Sequence, residues 1–267
     1  MIQRSARTSD RHVLYELSVQ EPEADLDLAE RVYRKHRGAA PRLLREDFCG
    51  TAALSCEWAK RNAANYAIGV DLDPGVLEWG KRHHVAALDP SVAERVTLVE
   101  ANVLDVQRPK ADLTLAMNFS YWVFKTRAEL LGYFGSASRA LKPDGVFVLD
   151  AFGGSDAQVV IEEKTERPDD GFTYVWDQAA FDPITNDITC YIHFEFPDGT
   201  ELRRAFGYHW RLWSLREICE ALLEAGFTTA DVYWEGDGPG GNGKGIFRKR
   251  RRAENTAGWI AYIVAVK

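Results

Sequence analysis

Short apolar runs alternate with longer helical intervals between residues 40 and 150, and this alternation constrains the fold more than any other feature. Five runs have the length of β-strands, and they end near residues 48, 71, 100, 118 and 150. Several are continuously apolar, as strands covered on both faces are. The intervals carry helix-start signals at Thr51, at the pair Asp73-Pro74 and at Thr126. This pattern predicts a parallel, doubly wound α/β sheet.

The segments on either side of this core follow different patterns. A helix is predicted over residues 23–37, before the first strand. After the fifth strand the chain is rich in aromatic and β-branched residues, which predicts an antiparallel β insertion of about three strands over 170–212. The closing segment, 213–267, supplies a helix that begins at Ser214, a sixth strand and a last strand. Because the sequence offers no clear linker, we predict one domain over residues 1–267.

Composition excludes several classes of protein. Of the 267 residues, 46% are hydrophobic and 27% charged, which excludes a disordered or collagen-like chain. No run approaches the ~20 apolar residues of a membrane span, and the N-terminal residues lack the apolar core of a signal peptide. The four cysteines have neither metal-ligand nor redox-pair spacing, so we expect reduced thiols, no metal site and a cytoplasmic location.

Polar residues follow the predicted strands at the edge where parallel α/β sheets bind ligands. After the first strand, Gly50 permits a tight turn, and the free N–H groups that start the next helix lie at this edge. The turn, residues 46–52, is either a contact for the polar part of a cofactor or an ordinary strand-to-helix connection. Asp71 ends the second strand, where a carboxylate can bind a ribose diol, and Asp73 already fills the alternative role of helix cap.

Four short motifs occur in a characteristic order along the chain. They are residues 46–52, 69–73, 100–105 and 141–145, which read EDFCGTA, GVDLD, EANVLD and LKPDG. In order and spacing they resemble the class I S-adenosylmethionine-dependent methyltransferases, over about residues 40–150 and 214–267. The resemblance implies a Rossmann-like, doubly wound, mostly parallel seven-stranded sheet with an antiparallel last strand. The antiparallel β insertion predicted above from the residues themselves follows the fifth strand of this sheet. The chain also lacks the Gly-x-Gly-x-x-Gly of nicotinamide-binding domains.

The resemblance further implies a cofactor and roles for individual residues. S-adenosylmethionine would be the methyl donor and S-adenosylhomocysteine the product. Glu46 would help to hold the methionine moiety, and Asp71 would bind the ribose hydroxyls. The other implied donor contacts are the loop of Cys49, Gly50 and Thr51, the adenine contacts Leu72, Asn102 and Val103, and Asn118 at the methionine end. Phe48 and Ala52 stand where family members commonly have glycine.

A protonated amine or a hydroxyl acceptor would also need a base. Tyr121 and Asp150 follow the fourth and fifth strands at the ligand-binding edge, and His209 lies at the end of the insertion. These three residues are the catalytic candidates. His209 also fits the plainer interpretation of a partly exposed structural histidine.

The N-terminal segment, residues 12–38, is interpreted as a helical lid over the cofactor-binding core at 40–153. In that arrangement Tyr15 and Gln20 would touch the bound donor. The position of these residues along the chain is the basis of this hypothesis.

We predict methyl transfer to a small molecule by in-line displacement, driven mainly by positioning of the reactants. An insertion that roofs the site and a net charge of −7, from 33 basic and 40 acidic residues, favour a small acceptor over a polyanion. One alternative is an RNA or protein methyltransferase that uses the basic run at 248–252, which follows a glycine-rich loop at 236–245. Another is a non-enzymatic nucleoside-binding protein on the same fold.

Overall fold

The computed structural model of the chain describes residues 4–235 and 245–267, and these residues form two compact units. Of the described residues, 22–152, 214–235, 245–254 and 260–267 form the core unit, and 4–21, 153–213 and 255–259 form the insertion unit. The predicted glycine-rich loop at 236–245 lies outside the described residues, except for Gly245.

Seven α-helices lie in the described residues. They are α1 (Arg11–Val19), α2 (Pro22–Arg37), α3 (Ala53–Arg61), α4 (Pro74–His83), α5 (Pro90–Ala93), α6 (Arg127–Ala140) and α7 (Leu215–Glu224). The predicted lid at 12–38 is therefore two helices, because Gln20 is extended and Pro22 is the first residue of α2; proline starts a helix more readily than it continues one. None of the described helices is long and apolar enough to cross a bilayer.

The strands of the described residues form two sheets. They are β1 (Leu43–Asp47), β2 (Tyr66–Asp71), β3 (Val96–Glu100), β4 (Ala111–Ala116), β5 (Leu141–Gly153), β6 (Ile161–Arg167), β7 (Phe172–Phe181), β8 (Asp187–Glu195), β9 (Glu201–Arg211), β10 (Thr229–Glu235), β11 (Phe247–Lys249) and β12 (Trp259–Val266). The core sheet has the order β11-β10-β12-β5-β4-β1-β2-β3. Strands β1 to β5 pair in parallel, and β10 pairs antiparallel with β12 and β11. The predicted mostly parallel α/β sheet with an antiparallel last strand is confirmed, and its order reverses between β1 and β4.

Two strands were not predicted from the sequence. The core sheet has eight strands rather than seven because of β11, and the insertion has four strands rather than about three because of β6. These strands read FRK and IEEKTER, and each lies at the edge of its sheet. Edge strands tolerate charged residues on their exposed faces, so they lack the apolar pattern that marks a central strand.

The insertion unit is an antiparallel sheet of order β6-β7-β8-β9, with α1 packed on it. Leu14 of α1 is fully buried in a cluster with Phe172 and Phe194. Asp10 caps α1 by accepting hydrogen bonds from the N–H groups of His12 and Val13. The predicted antiparallel insertion after the fifth strand is thus confirmed.

The predicted helix caps have mixed outcomes. Asp73 caps α4, and Thr126 and Ser214 form capping boxes with α6 and α7. The prediction that Thr51 caps α3 was wrong, because the residue that precedes α3 is Ala52, which is left-handed and makes no side-chain cap. The loop before α3 is instead shaped by hydrogen bonds to β2.

Candidate active site

The loop that joins β1 to α3 follows an unusual backbone path. Phe48, Gly50 and Ala52 have φ values of 57°, 53° and 60°, so every second residue is left-handed. The Cys49 N–H donates to the carbonyl of Val70 in β2, and the Ala52 N–H donates back to Cys49. A non-glycine residue in this region costs about 1 kcal/mol or more, so the alternating path is held by these contacts. The path that glycine favours is therefore present although two of the three residues are not glycine.

Asp71 connects this loop to the end of β2. Its Oδ2 accepts a hydrogen bond of 2.8 Å from the Gly50 N–H, and its Oδ1 accepts one of 3.0 Å from the Asp73 N–H. The Asp71 side chain is only partly buried, and each carboxylate oxygen has a second lone pair to offer a ligand. Beside it, Leu72 is 69% exposed. The adenine role predicted for Leu72 stays a prediction, and its exposure leaves an apolar side chain accessible at this edge.

Glu46, in β1, and Cys49, within the loop, are both buried. One oxygen of Glu46 accepts hydrogen bonds from the N–H of Ser55 at 2.9 Å and from its hydroxyl at 2.5 Å. Burial raises the pKa of the Glu46 carboxyl to about 8, against the opposing effect of the Ser55 hydrogen bonds. Burial also raises the pKa of the Cys49 thiol well above its usual range. Both groups are therefore neutral at pH 7, and Cys49 is a packing residue rather than a nucleophile.

The connection after β3 carries the two predicted adenine contacts. Asn102 is exposed, and its Oδ1 accepts a hydrogen bond of 3.0 Å from the Leu104 N–H. Val103 is 4% exposed. A side-chain amide whose oxygen is engaged keeps its NH₂ group as a donor, so Asn102 offers a donor at the edge of the sheet.

Sequence reasoning missed a buried polar network beneath these loops. Arg45 of β1 donates to Asp47 Oδ1 at 2.6 Å and to the carbonyls of Val103 and Val106, and Asp47 Oδ2 accepts from the Tyr133 hydroxyl at 2.9 Å. The only signal in the sequence is that three of the five residues of the buried strand β1 are charged, namely Arg45, Glu46 and Asp47.

Asp150 anchors the turn that follows β4. Its two carboxylate oxygens accept hydrogen bonds of 2.8 and 2.9 Å from the N–H groups of Asn118 and Phe119, both of which are left-handed. Burial raises the pKa of Asp150 to about 7, although the two backbone donors oppose this. With both oxygens directed at the backbone, Asp150 fixes the position of Asn118.

Tyr121 is fully buried, which does not fit the base that was predicted. Its hydroxyl donates a 2.9 Å hydrogen bond to the carbonyl of Asp150, and its ring lies against Trp122 and Phe134. Burial raises the pKa of this phenol well above its usual range. A protonated hydroxyl that donates to the backbone is not free to take up a proton, which argues against Tyr121 as the base.

Three predicted site residues belong to the insertion unit. The Nδ1 of His209 lies 3.3 Å from the Thr189 hydroxyl, and the ring of Tyr15 lies 4.8 Å from that of Phe206. Gln20 follows α1 and donates its backbone N–H to Glu16. The proposed roles of Tyr15, Gln20 and His209 at the donor site stay predictions.

The basic run lies on the core unit. Lys249 of β11 pairs with Asp231 of β10 at 2.6 Å. The other four members are exposed and make no ion pair with the described residues; they are Arg248, Arg250, Arg251 and Arg252. Within residues 4–235 and 245–267 no cluster of His, Cys, Asp and Glu could hold a metal ion.

The core-unit edge fits an adenosyl donor. A Cβ placed on Gly50 would meet no atom within 4 Å, so open space borders the N–H group that binds Asp71. An acidic side chain with spare lone pairs, an accessible leucine and the Asn102 amide border the same connections of β1, β2 and β3. These groups match a ribose diol, an adenine face and an adenine edge, respectively.

Comparisons with known proteins agree with this geometry. Residues 47–149 match a family model described as a methyltransferase domain. The fold is similar to that of the CcbJ methyltransferase from Streptomyces caelestis, with a TM-score of 0.67, 16% identity and 92% and 96% of the two chains covered. No curated protein matches the chain by sequence.

Two further solved structures share the fold. One is the sugar N-methyltransferase KedS8 from Streptoalloteichus sp., with a TM-score of 0.64, 17% identity and 100% and 96% of the chains covered. The other is CalS10 with bound S-adenosylmethionine, an amino pentose methyltransferase from Micromonospora echinaspora, with a TM-score of 0.66, 16% identity and 99% of each chain covered. The matched family model therefore identifies residues 47–149 as a methyltransferase domain, and the chain shares the fold of these three solved methyltransferases.

Proposed function

We propose that the protein transfers the methyl group of S-adenosylmethionine to an amine nitrogen of a small, sugar-like acceptor. The observation that carries donor binding is the left-handed loop at 48–52, which is bound through the Gly50 N–H to Asp71. Support for the acceptor class comes from two proteins with a similar fold, a sugar N-methyltransferase and an amino pentose methyltransferase. A net charge of −7 also favours a small acceptor over a polyanion.

The chain's own residues would position the donor rather than react with it. When bound, S-adenosylmethionine supplies an electrophilic sulfonium methyl group, so alignment and exclusion of water provide most of the acceleration. Asp71 would hold the ribose, and Asn102 with Val103 would hold the adenine. Asp150 keeps the Asn118 turn in place at the methionine end. His209 remains the candidate base for removing the proton of an ammonium acceptor, since Tyr121 is buried and protonated.

The test is methyl transfer with defined acceptors. Purified protein is incubated with S-adenosylmethionine and, separately, with amino sugars, the corresponding sugars that lack an amine, and short RNA. We expect release of S-adenosylhomocysteine and a monomethylated product only with an amino sugar. Donor binding in calorimetry without turnover on any acceptor would instead favour a nucleoside-binding protein, and turnover on RNA would favour the alternative that uses residues 248–252.

Asp71→Ala is the variant that tests the proposed donor site. We expect it to weaken donor binding about ten- to a hundredfold, the range for hydrogen bonds to a charged group. Asp73→Ser is the control, because it changes the neighbouring acid and keeps a side chain that can cap α4. Equal donor affinity in the wild type and Asp71→Ala would contradict the proposed donor site.

A further inference from the structure

Two charged side chains are buried in the central strand β1, on either side of Glu46. The Arg45 and Asp47 side chains are 2% and 0% exposed, and β1 lies between β4 and β2 in the core sheet. A buried ion pair is often no more stabilising than two apolar residues of similar size. Stability of the sheet therefore does not explain why this strand contains them.

The contacts of Arg45 explain its presence better. Besides Asp47, its guanidinium donates to the carbonyl of Val103 at 2.8 Å and to that of Val106. The planar guanidinium carries five N–H donors in a fixed arrangement, and it can therefore bind both ends of a short segment at once. One side chain of β1 thus fixes residues 103–106, in the connection that follows β3.

The same network extends to helix α6. Asp47 accepts a hydrogen bond from the Tyr133 hydroxyl. The Tyr133 ring lies 5.5 Å from the ring of Phe48 in the loop at 48–52, the donor loop of the proposed function. The Ser136 hydroxyl donates to the carbonyl of Leu104 at 2.7 Å. The donor loop and the connection after β3 are therefore held by one set of buried side chains from β1 and α6.

We propose that Arg45 is a positioning residue that sets the adenine selectivity of the donor site. Arg45 would act through the connection after β3, because its guanidinium binds two carbonyl groups there. Residues 102–103 of this connection are the adenine contacts of the proposed function, on which this inference rests. With the Val103 carbonyl engaged by Arg45, the connection presents the Asn102 amide to the base. Adenine and hypoxanthine differ only at the edge that carries the 6-substituent and N1. N1 is an acceptor in adenine and carries a hydrogen in hypoxanthine, so an amide N–H fixed opposite N1 distinguishes them.

The test compares two ligands that differ only in the base, S-adenosylhomocysteine and S-inosylhomocysteine. Their dissociation constants are measured by calorimetry on the wild type and on Arg45→Met/Asp47→Leu, which removes the buried pair as a unit. We expect the wild type to prefer the adenosyl ligand, and the double variant to lose about tenfold of that preference, the effect of about one hydrogen bond. Ser55 and Asp71 are unchanged in this variant, so the side chains that hydrogen-bond Glu46 and Gly50 remain.

Arg95→Met is the matched control. Arg95 also holds carbonyl groups of a connection, those of Ala59, Asn62 and Asn65, but at the opposite end of β2 from Asp71. We expect it to lower the melting temperature and leave the ratio of the two dissociation constants unchanged. A general loss of stability would change the affinities for the two ligands by the same factor. The ratio of the two dissociation constants therefore reports positioning alone.

Arg45→Lys provides a second variant if the double variant does not fold. Lysine can pair with Asp47, but a single ammonium group cannot span two carbonyls as the guanidinium does. We expect the ratio to fall in Arg45→Lys as well. An unchanged ratio in a folded Arg45 variant, or a wild type that binds both ligands equally, would overturn this inference. A wild type that binds neither ligand would instead overturn the proposed function.

Discussion

At the scale of single residues, burial decides which polar groups can do chemistry. Tyr121 and Asp150 both follow strands at the ligand-binding edge, as the sequence analysis predicts for catalytic groups. In the structure, the Asp150 carboxylate accepts hydrogen bonds from the backbone of the Asn118 turn, and the Tyr121 hydroxyl donates to the main-chain carbonyl of Asp150. Both polar groups are therefore engaged by backbone, and sequence position alone could not distinguish such groups from an accessible base.

Glu46 gives a prediction about pH at the same scale. Its folded-state pKa of about 8 lies above the ordinary value of 4.5, so the folded chain binds this proton more tightly than the unfolded chain does. The resulting stabilisation is complete below about pH 4.5 and is lost as the pH rises through 8. We expect the free energy of unfolding to fall over this range, and Glu46→Gln to reduce the fall.

Urea unfolding of the wild type and Glu46→Gln between about pH 5 and 9 measures this effect. Asp150, with a pKa of about 7, contributes a fall of the same sign that both proteins retain. Glu94→Gln, at an exposed position, is the control and should follow the wild type. An identical pH dependence in the wild type and Glu46→Gln would show that Glu46 is ionised in the folded protein.

At the scale of elements, helix α4 approaches the donor loop through a residue without a side chain. A Cβ on Gly80 would overlap the carbonyl group of Thr51, whereas Gly132 in α6 has no atom within 4 Å of that position. We expect Gly80→Ala to destabilise the protein by about 1–3 kcal/mol, because backbone cannot move aside as a side chain does. It should also weaken donor binding, since the loop would shift.

Gly132→Ala is the matched substitution. It replaces glycine in an open, exposed helical position, where alanine is more favourable by about 0.5–1 kcal/mol. Thermal unfolding and donor titration of the two variants measure both effects. If Gly80→Ala were as stable as Gly132→Ala and bound the donor normally, the close approach of α4 to the loop would determine neither stability nor donor affinity.

At the scale of the whole molecule, the charge distribution bears on the acceptor. The chain is acidic overall, with a net charge of −7, yet four exposed arginines lie together after and within β11. We expect conversion of these four to Gln to leave methylation of a small acceptor unchanged, because they lie outside the proposed donor contacts. Lys249 is retained in this variant to preserve its pair with Asp231.

Titrations with salt provide the measurement. Binding through phosphate contacts weakens steeply as salt rises, so an RNA acceptor would give turnover that depends on salt and is lost in the four-arginine variant. We expect turnover of an amino sugar to depend little on either change. Loss of that turnover in the variant would assign the run a role that we do not give it.

The sequence by itself determined the succession of the core strands and helices along the chain, and the helix starts at Asp73, Thr126 and Ser214. It also determined which strand ends lie at the ligand-binding edge of the sheet. These features are local, since apolar periodicity and capping depend on residues close together in the chain. Tertiary structure alone decided the left-handed path at Phe48 and Ala52 and the pairing of Arg45 with a connection some sixty residues away. Their partners are distant in sequence, and no local pattern indicates which backbone group a buried side chain will bind.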